Sequence, residues 1–142
     1  MRTKKALHYD EQRTKQIDNA ILKFSQSLMS NSKWIRLIEQ IVHNADEIKK
    51  IQFKKIQSDK IGELYLDSES IFEFDYWKTG FEGNNSFNDW LEYREIEYLI
   101  FPKIIDSKRN QDLEKITRLI KEVGKFYLEL DENELKLVCY KI

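Results

Sequence analysis

The sequence predicts an α+β protein in which an antiparallel sheet of five to six strands is covered mainly on one face by helices. Three observations predict this. Apolar residues follow a helical spacing up to about residue 44, alternate with polar residues from about residue 51, and return to helical spacing between residues 110 and 124. Two N-terminal helices, a run of strands and one inserted helix favour an antiparallel sheet over a parallel one.

Two amphipathic helices are predicted in the first third of the chain. The first follows a candidate N-cap at Asp10, because apolar residues then recur at helical steps. These residues are Ile17, Ile21, Phe24 and Leu28. The second follows the cap-forming run 29–32, carries a wide apolar face from Trp34 to Val42, and ends near Asn44.

Strands are predicted from residue 51 onward. Alternation at 51–53, 64–66 and 72–76 indicates three of them, and Gly80–Ser86 reads as a loop. Residues 90–101 read as one long strand, which Pro102 stops and which we expect at the centre of the sheet. A helix capped within 110–112 and ended by Gly124 precedes a closing hairpin of 126–130 and 135–142.

One domain spanning residues 1–142 is expected, with residues 1–9 able to form a flexible N-terminal extension. The composition, 41% hydrophobic and 35% charged, is typical of a folded protein. The chain shows neither a bilayer-length apolar run nor the apolar core of a signal peptide, so we expect a cytoplasmic location and no membrane partner. Cys139, the single cysteine, is expected to be a packed thiol.

Known catalytic and cofactor-binding patterns are largely missing from the sequence. The four glycines form no phosphate-binding loop, and His8, His43 and Cys139 fall in different predicted elements, so neither a cofactor nor a metal is expected. His43 is interpreted as a cation at a helix C-terminus. A paired-carboxylate site at Glu95 and Glu97 is conceivable, although an exposed acidic strand face explains that pair more simply.

Two alternative functions stay open. Glu134-Leu-Lys136 and Glu47-Ile-Lys49 match the E-x-K pattern of metal-dependent nucleases, with Glu134 and Lys136 on one side of a predicted strand. A nucleic-acid-binding module could use the basic stretch from Lys49 to Lys55. Opposed side chains at Lys54 and Lys55 and a pI near 6.2 disfavour a nucleic-acid partner.

Charge and aromatic residues are distributed unevenly along the chain. Residues 61–100 contain 10 Asp and Glu but 2 Lys and Arg, together with 10 of the 18 aromatic residues. Aromatic anchors surrounded by acidic charge favour a protein interface for a basic partner, whereas a half-buried sheet would produce the same alternation. The predicted partner-binding residues are Glu73, Asp75, Trp77, Phe81, Glu82, Phe87, Asp89, Trp90, Glu92 and Glu95.

Two short segments resemble the signatures of a known family. Leu28-Met-Ser-Asn-Ser-Lys-Trp-Ile-Arg-Leu37 is similar to a helix-opening signature, and Tyr93-Arg-Glu-Ile-Glu-Tyr-Leu-Ile-Phe-Pro102 to a second one, in which Tyr98 stands where Trp is usual. The family is a domain of unknown function among small bacterial proteins. It includes candidate immunity proteins of polymorphic or contact-dependent growth inhibition toxin systems. The resemblance spans about residues 28–102 and implies a non-catalytic immunity protein whose partner is a cognate toxin, such as a nuclease.

Overall fold

The computed structural model of the protein describes residues 4–64, 80–82 and 90–142, with side chains described for 11–64 and 91–142. Within these residues the chain forms three α-helices, one five-stranded antiparallel sheet and three two-stranded sheets. The predicted mixed α+β class with an antiparallel sheet is therefore confirmed.

The helices are α1 (Lys4–Ile21), α2 (Asn31–His43) and α3 (Leu113–Lys121). The strands are, in chain order, β1 (Gln26–Ser27), β2 (Ile51–Lys55), β3 (Ile61–Leu64), β4 (Gly80–Glu82), β5 (Trp90–Glu92), β6 (Ile96–Pro102), β7 (Ile104–Asp106), β8 (Arg109–Asn110), β9 (Tyr127–Leu130), β10 (Glu134–Val138) and β11 (Tyr140–Lys141).

The first helix differs from its prediction at both ends. It begins at Lys4, so residues 4–9 are helical, and it ends at Ile21 rather than continuing to Leu28. The amides of Lys23 and Phe24 close the last turn with bonds to residues three positions back, and the chain then enters β1, which pairs with β11. Phe24 packs against the core as a partly buried residue outside the helix.

The other two helices are confirmed with their N-caps, but α3 ends at Lys121 with Glu122 as its C-cap, two residues before the predicted stop at Gly124. The Ser30 side chain accepts a hydrogen bond from the Lys33 amide at the start of α2, and Asn44 is the C-cap. The Asp112 side chain accepts from the Lys115 amide in the same way at the start of α3. Local capping chemistry therefore sets both helices.

The large sheet has the strand order β3-β2-β6-β10-β9, and every neighbouring pair is antiparallel. β6 is the central strand, as predicted. The inner face of the sheet joins the buried faces of all three helices in one hydrophobic cluster. Its buried members on the strands include Ile51, Phe53, Leu99, Phe101, Leu135 and Leu137.

The predicted long strand at 90–101 is interrupted. The chain runs from β5 through a 3₁₀ turn at Tyr93–Glu95 into β6, and a bulge places Lys54 opposite Tyr98 but Lys55 opposite Ile96. Because a bulge sets two residues against one, Ile96 faces the core while Tyr98 and Ile100 face outward. Uninterrupted alternation along the predicted strand would put Ile96, Tyr98 and Ile100 on one buried face, but only Ile96 of these three is buried.

Several smaller predictions also change. The predicted loop at 80–86 begins with a strand, since Gly80–Glu82 is β4, and its remaining residues lie outside the described part, as does the predicted strand at 72–76. The β7–β8 hairpin was not predicted. The closing hairpin is confirmed as β9 and β10, and the chain then continues into β11. Among the described residues, no helix combines the length and apolar character needed to cross a bilayer.

Candidate partner-binding surface

A two-stranded ribbon carries part of the acidic and aromatic segment that the sequence indicates as an interface. β4 and β5 pair with Gly80 opposite Glu92, Phe81 opposite Leu91 and Glu82 opposite Trp90. The ribbon forms a sheet of its own, apart from the five-stranded sheet. It therefore places the predicted contact residues 81, 82 and 90 on two adjacent strands.

The base of the ribbon is fixed in the hydrophobic core. Leu91 and Tyr93 are each 1% exposed, and the Tyr93 ring stacks on Trp34 of α2 with centroids 5.2 Å apart and an interplanar angle of 8°. Burial raises the pKa of the Tyr93 phenol far above its usual value, so the hydroxyl stays neutral. Trp34 is a core residue, as the sequence predicts.

The Glu95 carboxylate is the second element of this base. Its side chain is fully buried, and its oxygens accept hydrogen bonds of 2.7 Å each from the Arg13 guanidinium, the Gln57 amide and the Glu92 backbone amide. The Glu92 side chain reciprocates by accepting from the Glu95 amide, which forms a capping box around the 3₁₀ turn. A buried carboxylate with all these donors is structurally satisfied.

A third set of contacts ties the turn to both ends of the chain. The Arg94 guanidinium contacts Asp18 of α1 at 2.9 Å and Glu92 at 3.2 Å. The Tyr140 hydroxyl of β11 donates to the Arg94 carbonyl, and burial is the main cause that raises the Tyr140 pKa to about 12. The ribbon base is thus held by α1, α2 and β11 together.

Two more acids of the same segment have basic partners in β2 and just before it. Lys54 contacts Glu97 at 3.1 Å, and Lys50 lies 3.8 Å from Glu63. Each acid between residues 61 and 100 whose side chain is described is therefore paired within the chain, at Glu63, Glu92, Glu95 and Glu97. Lys50 and Lys54 belong to the basic stretch that the sequence analysis considers for nucleic-acid binding. In the structure they pair with carboxylates of the same chain.

The predicted partner-binding residues fall into three groups. Phe81, Glu82 and Trp90 lie in the ribbon, and the Glu92 side chain beside them is 28% exposed. The prediction that Glu95 contacts a partner is wrong, because its carboxylate is fully buried. The remaining residues, Glu73, Asp75, Trp77, Phe87 and Asp89, lie outside the described residues.

Both interpretations of Glu95 and Glu97, as a carboxylate pair and as the preferred exposed acidic strand face, are wrong. Glu95 belongs to the 3₁₀ turn and is buried against Arg13, whereas Glu97 sits in the bulge with its side chain 23% exposed against Lys54. The two carboxylates do not share a strand face. Each has its own cation instead.

The E-x-K residues Glu134 and Lys136 do lie on the same outward face of β10. The Lys136 ammonium stands 4.4 Å from the centre of the Tyr98 ring, a cation–π distance. The other match is not on a strand, and its Glu47 contacts Lys115 at 2.8 Å. Within the described parts of the chain, no three His, Cys, Asp or Glu residues come together as a metal-binding group.

Cys139 and His43 lie where the sequence places them. Cys139 is 1% exposed, and burial together with the nearby Glu97 carboxylate raises its thiol pKa far above the usual value, so it is a packed thiol as predicted. His43 is exposed at the C-terminus of α2.

The sequence interpretation missed the cluster of Arg13, Gln57 and Glu95. One feature of the sequence could have indicated this cluster. Arg13 lies one turn before Ile17, on the same helix face as the apolar stripe, so its guanidinium lies beside the core. It also missed a cleft of about 390 Å³. Residues 103, 111–114 and 130–132 line this cleft.

Comparison with known proteins gives no match: no family model, no curated protein and no solved structure is similar to this chain.

Proposed function

We propose that this protein is a bacterial immunity protein that binds a cognate toxin domain, such as a nuclease, and occludes it without catalysis. The β4–β5 ribbon is the observation that carries the proposal. Its base is buried and cross-linked by ion pairs, while its strands bear residues of the acidic and aromatic segment. A rigid base under an interaction segment lowers the entropy cost of binding.

The charge of the segment supports a basic partner. Because the described acids at 63, 92, 95 and 97 are already paired, the charge offered to a partner comes from residues 65–89. That stretch contains six acids and one lysine in the sequence. Such an excess would attract the positively charged groove with which a nuclease holds phosphate.

The aromatic residues support a protein interface. Phe81 and Trp90 lie in paired strands, and Phe87 falls in the sequence that joins them. Large aromatic side chains are enriched among the residues that dominate binding energy. The short motifs at 28–37 and 93–102 resemble those of a family that includes candidate immunity proteins, although no family model matches the chain, and this resemblance implies the same class of protein.

The proposal predicts that a neighbouring gene encodes a toxin-like protein, and binding of that protein, measured by titration calorimetry, tests the proposal. Phe81→Ala and Trp90→Ala should each weaken the complex by roughly 30-fold or more, as expected of central aromatic anchors. Glu82→Gln should reduce the association rate at low salt, whereas Glu114→Gln, an exposed acid in α3, is the matched control and should not.

The proposal fails if the two proteins form no complex. It also fails if the aromatic and acidic variants of the ribbon bind as tightly as the parent while variants elsewhere on the surface do not. Circular dichroism of each variant establishes that a loss of binding is not a loss of folding.

A further inference from the structure

The strand at one edge of the large sheet offers apolar side chains to solvent. β9 is the last strand in the order β3-β2-β6-β10-β9, and among the described residues it pairs with β10 alone. Its Tyr127 is 57% exposed and its Leu130 is 48% exposed. An edge strand of this kind is a template for pairing with another strand.

Hydrogen bonding in the β9–β10 hairpin fixes which backbone groups point away from the sheet. The Asp131 amide donates to the Glu134 carbonyl at 3.0 Å. In an antiparallel ladder every second residue makes such bonds, so the backbone groups of Glu129 and Tyr127 also bond to β10, opposite Lys136 and Val138. The backbone groups of Leu128 and Leu130 therefore point outward from the edge.

We propose that a second copy of this chain pairs antiparallel with β9, with Leu128 on the two-fold axis, to form a continuous ten-stranded sheet across a homodimer. In this register Tyr127 lies opposite Glu129 of the partner subunit. Residues 124–126 lie just before β9 and outside it in the structure. In the proposed dimer, pairing extends the strand through these residues, which places Phe126 opposite Leu130 of the partner subunit and Lys125 opposite Asp131 of the partner subunit.

This register is self-complementary in charge and in apolar contact. Opposite charges face each other at Lys125 and Asp131, both exposed, and the exposed part of Leu130 is covered by Phe126. Asp131 is exposed and therefore ionised at neutral pH, and amide donors from Asn133 and Glu134 lower its pKa further.

The neighbouring registers are worse. A shift must be by an even number of residues to keep the apolar face on one side of the joined sheet. One such shift sets Glu129 against Glu129 of the partner subunit, and like charges directly opposite are destabilising. The other also pairs opposite charges, Lys125 with Glu129 of the partner subunit, but it sets Leu130 against Gly124 of the partner subunit and so leaves the exposed leucine uncovered.

The proposal is tested on the protein alone, so its outcome is independent of toxin binding. Sedimentation equilibrium should show a dimer at about 100 µM that dissociates on dilution. Lys125→Glu should weaken dimerisation roughly tenfold by turning two attractive pairs into repulsive ones, and Lys108→Glu, an exposed lysine of the β7–β8 turn, should leave it unchanged.

Disulfide cross-linking determines the register. A mixture of Tyr127→Cys and Glu129→Cys proteins should form a mixed disulfide dimer at least tenfold faster than either protein alone, since these positions face each other across the axis. Cys139 does not interfere, because it is buried.

A monomer at all concentrations would overturn the proposal, and so would self-linking of the Tyr127→Cys protein that outpaces the mixture. Leu128→Pro removes an outward amide without breaking a bond to β10, and it should give a monomer. If that variant does not fold, the cross-linking rates decide alone.

Discussion

The ion pair between Arg13 and Glu95 should contribute strongly to stability, because it supplies the counter-ion of a fully buried carboxylate. The Arg13→Met variant keeps the length of the side chain but removes the guanidinium that lies 2.7 Å from Glu95. Removing one partner of a buried pair costs about 3–5 kcal/mol, and the lower end applies because the Arg13 side chain is 20% exposed. We therefore expect a loss of about 3 kcal/mol in the free energy of unfolding.

A double-mutant cycle in urea measures this coupling. Glu95→Gln should cost about 1–2 kcal/mol alone, and less when added to Arg13→Met, since the neutral amide no longer needs a counter-ion. Lys15→Met, an exposed change on the same helix, is the control and should stay within about 0.5 kcal/mol. The reasoning is refuted if Arg13→Met costs no more than Lys15→Met, or if the coupling energy is zero.

Three further predictions concern the core. Burial raises the pKa of Cys139 and Tyr140 in the folded state above the unfolded values of 9.0 and 10.0. The unfolded state therefore loses these protons first, and the free energy of unfolding should fall as pH rises from about 9 towards 12. In Cys139→Ala this fall should begin nearer pH 10, because only the tyrosine contribution is left. Gln111→Ala should cost about 3 kcal/mol in urea, because the 6% exposed amide bonds four backbone groups; an unchanged midpoint would contradict this. Gly62→Ala should lower the thermal midpoint, since a Cβ there would lie 2.6 Å from the Phe53 ring, and adding Phe53→Leu should recover part of the loss.

Elements with local signals were predictable from the sequence. Helix α2 has a cap at Ser30, a wide apolar face and an end at Asn44. These three features lie within 15 consecutive residues, so the sequence alone shows them. Helix α3 and the β9–β10 hairpin are defined in the same local way, by the Asp112 cap and the turn at 131–133.

The interruption of the strand at 93–95 could not be predicted, because it depends on distant partners. Leu91, Tyr93 and Glu95 alternate in the sequence as strand residues do, and nothing local shows that Glu95 is buried. Its position depends on Arg13, which is 82 residues away, and on Gln57, which is 38 residues away. A carboxylate in the middle of a predicted strand within an acidic segment looks exposed until those donors are known.

The candidate surface was predictable in composition but not in detail. The excess of acids and aromatics between residues 61 and 100 is visible in the sequence. Which acids are neutralised depends on the pairing of β2 with β3 and β6, which brings Lys50 to Glu63 and Lys54 to Glu97. Sequence alternation alone cannot supply that register.

Inhibition of the toxin by this protein is the most direct test of the proposed function. The purified protein should be titrated into the toxin-like protein that the proposal predicts from a neighbouring gene, while the toxin activity is followed. We predict inhibition that is complete near one equivalent, with this protein showing no nucleic-acid cleavage of its own in Mg²⁺ or Mn²⁺. A toxin that stays active in excess protein, or cleavage by this protein that Glu134→Gln abolishes, would contradict the account.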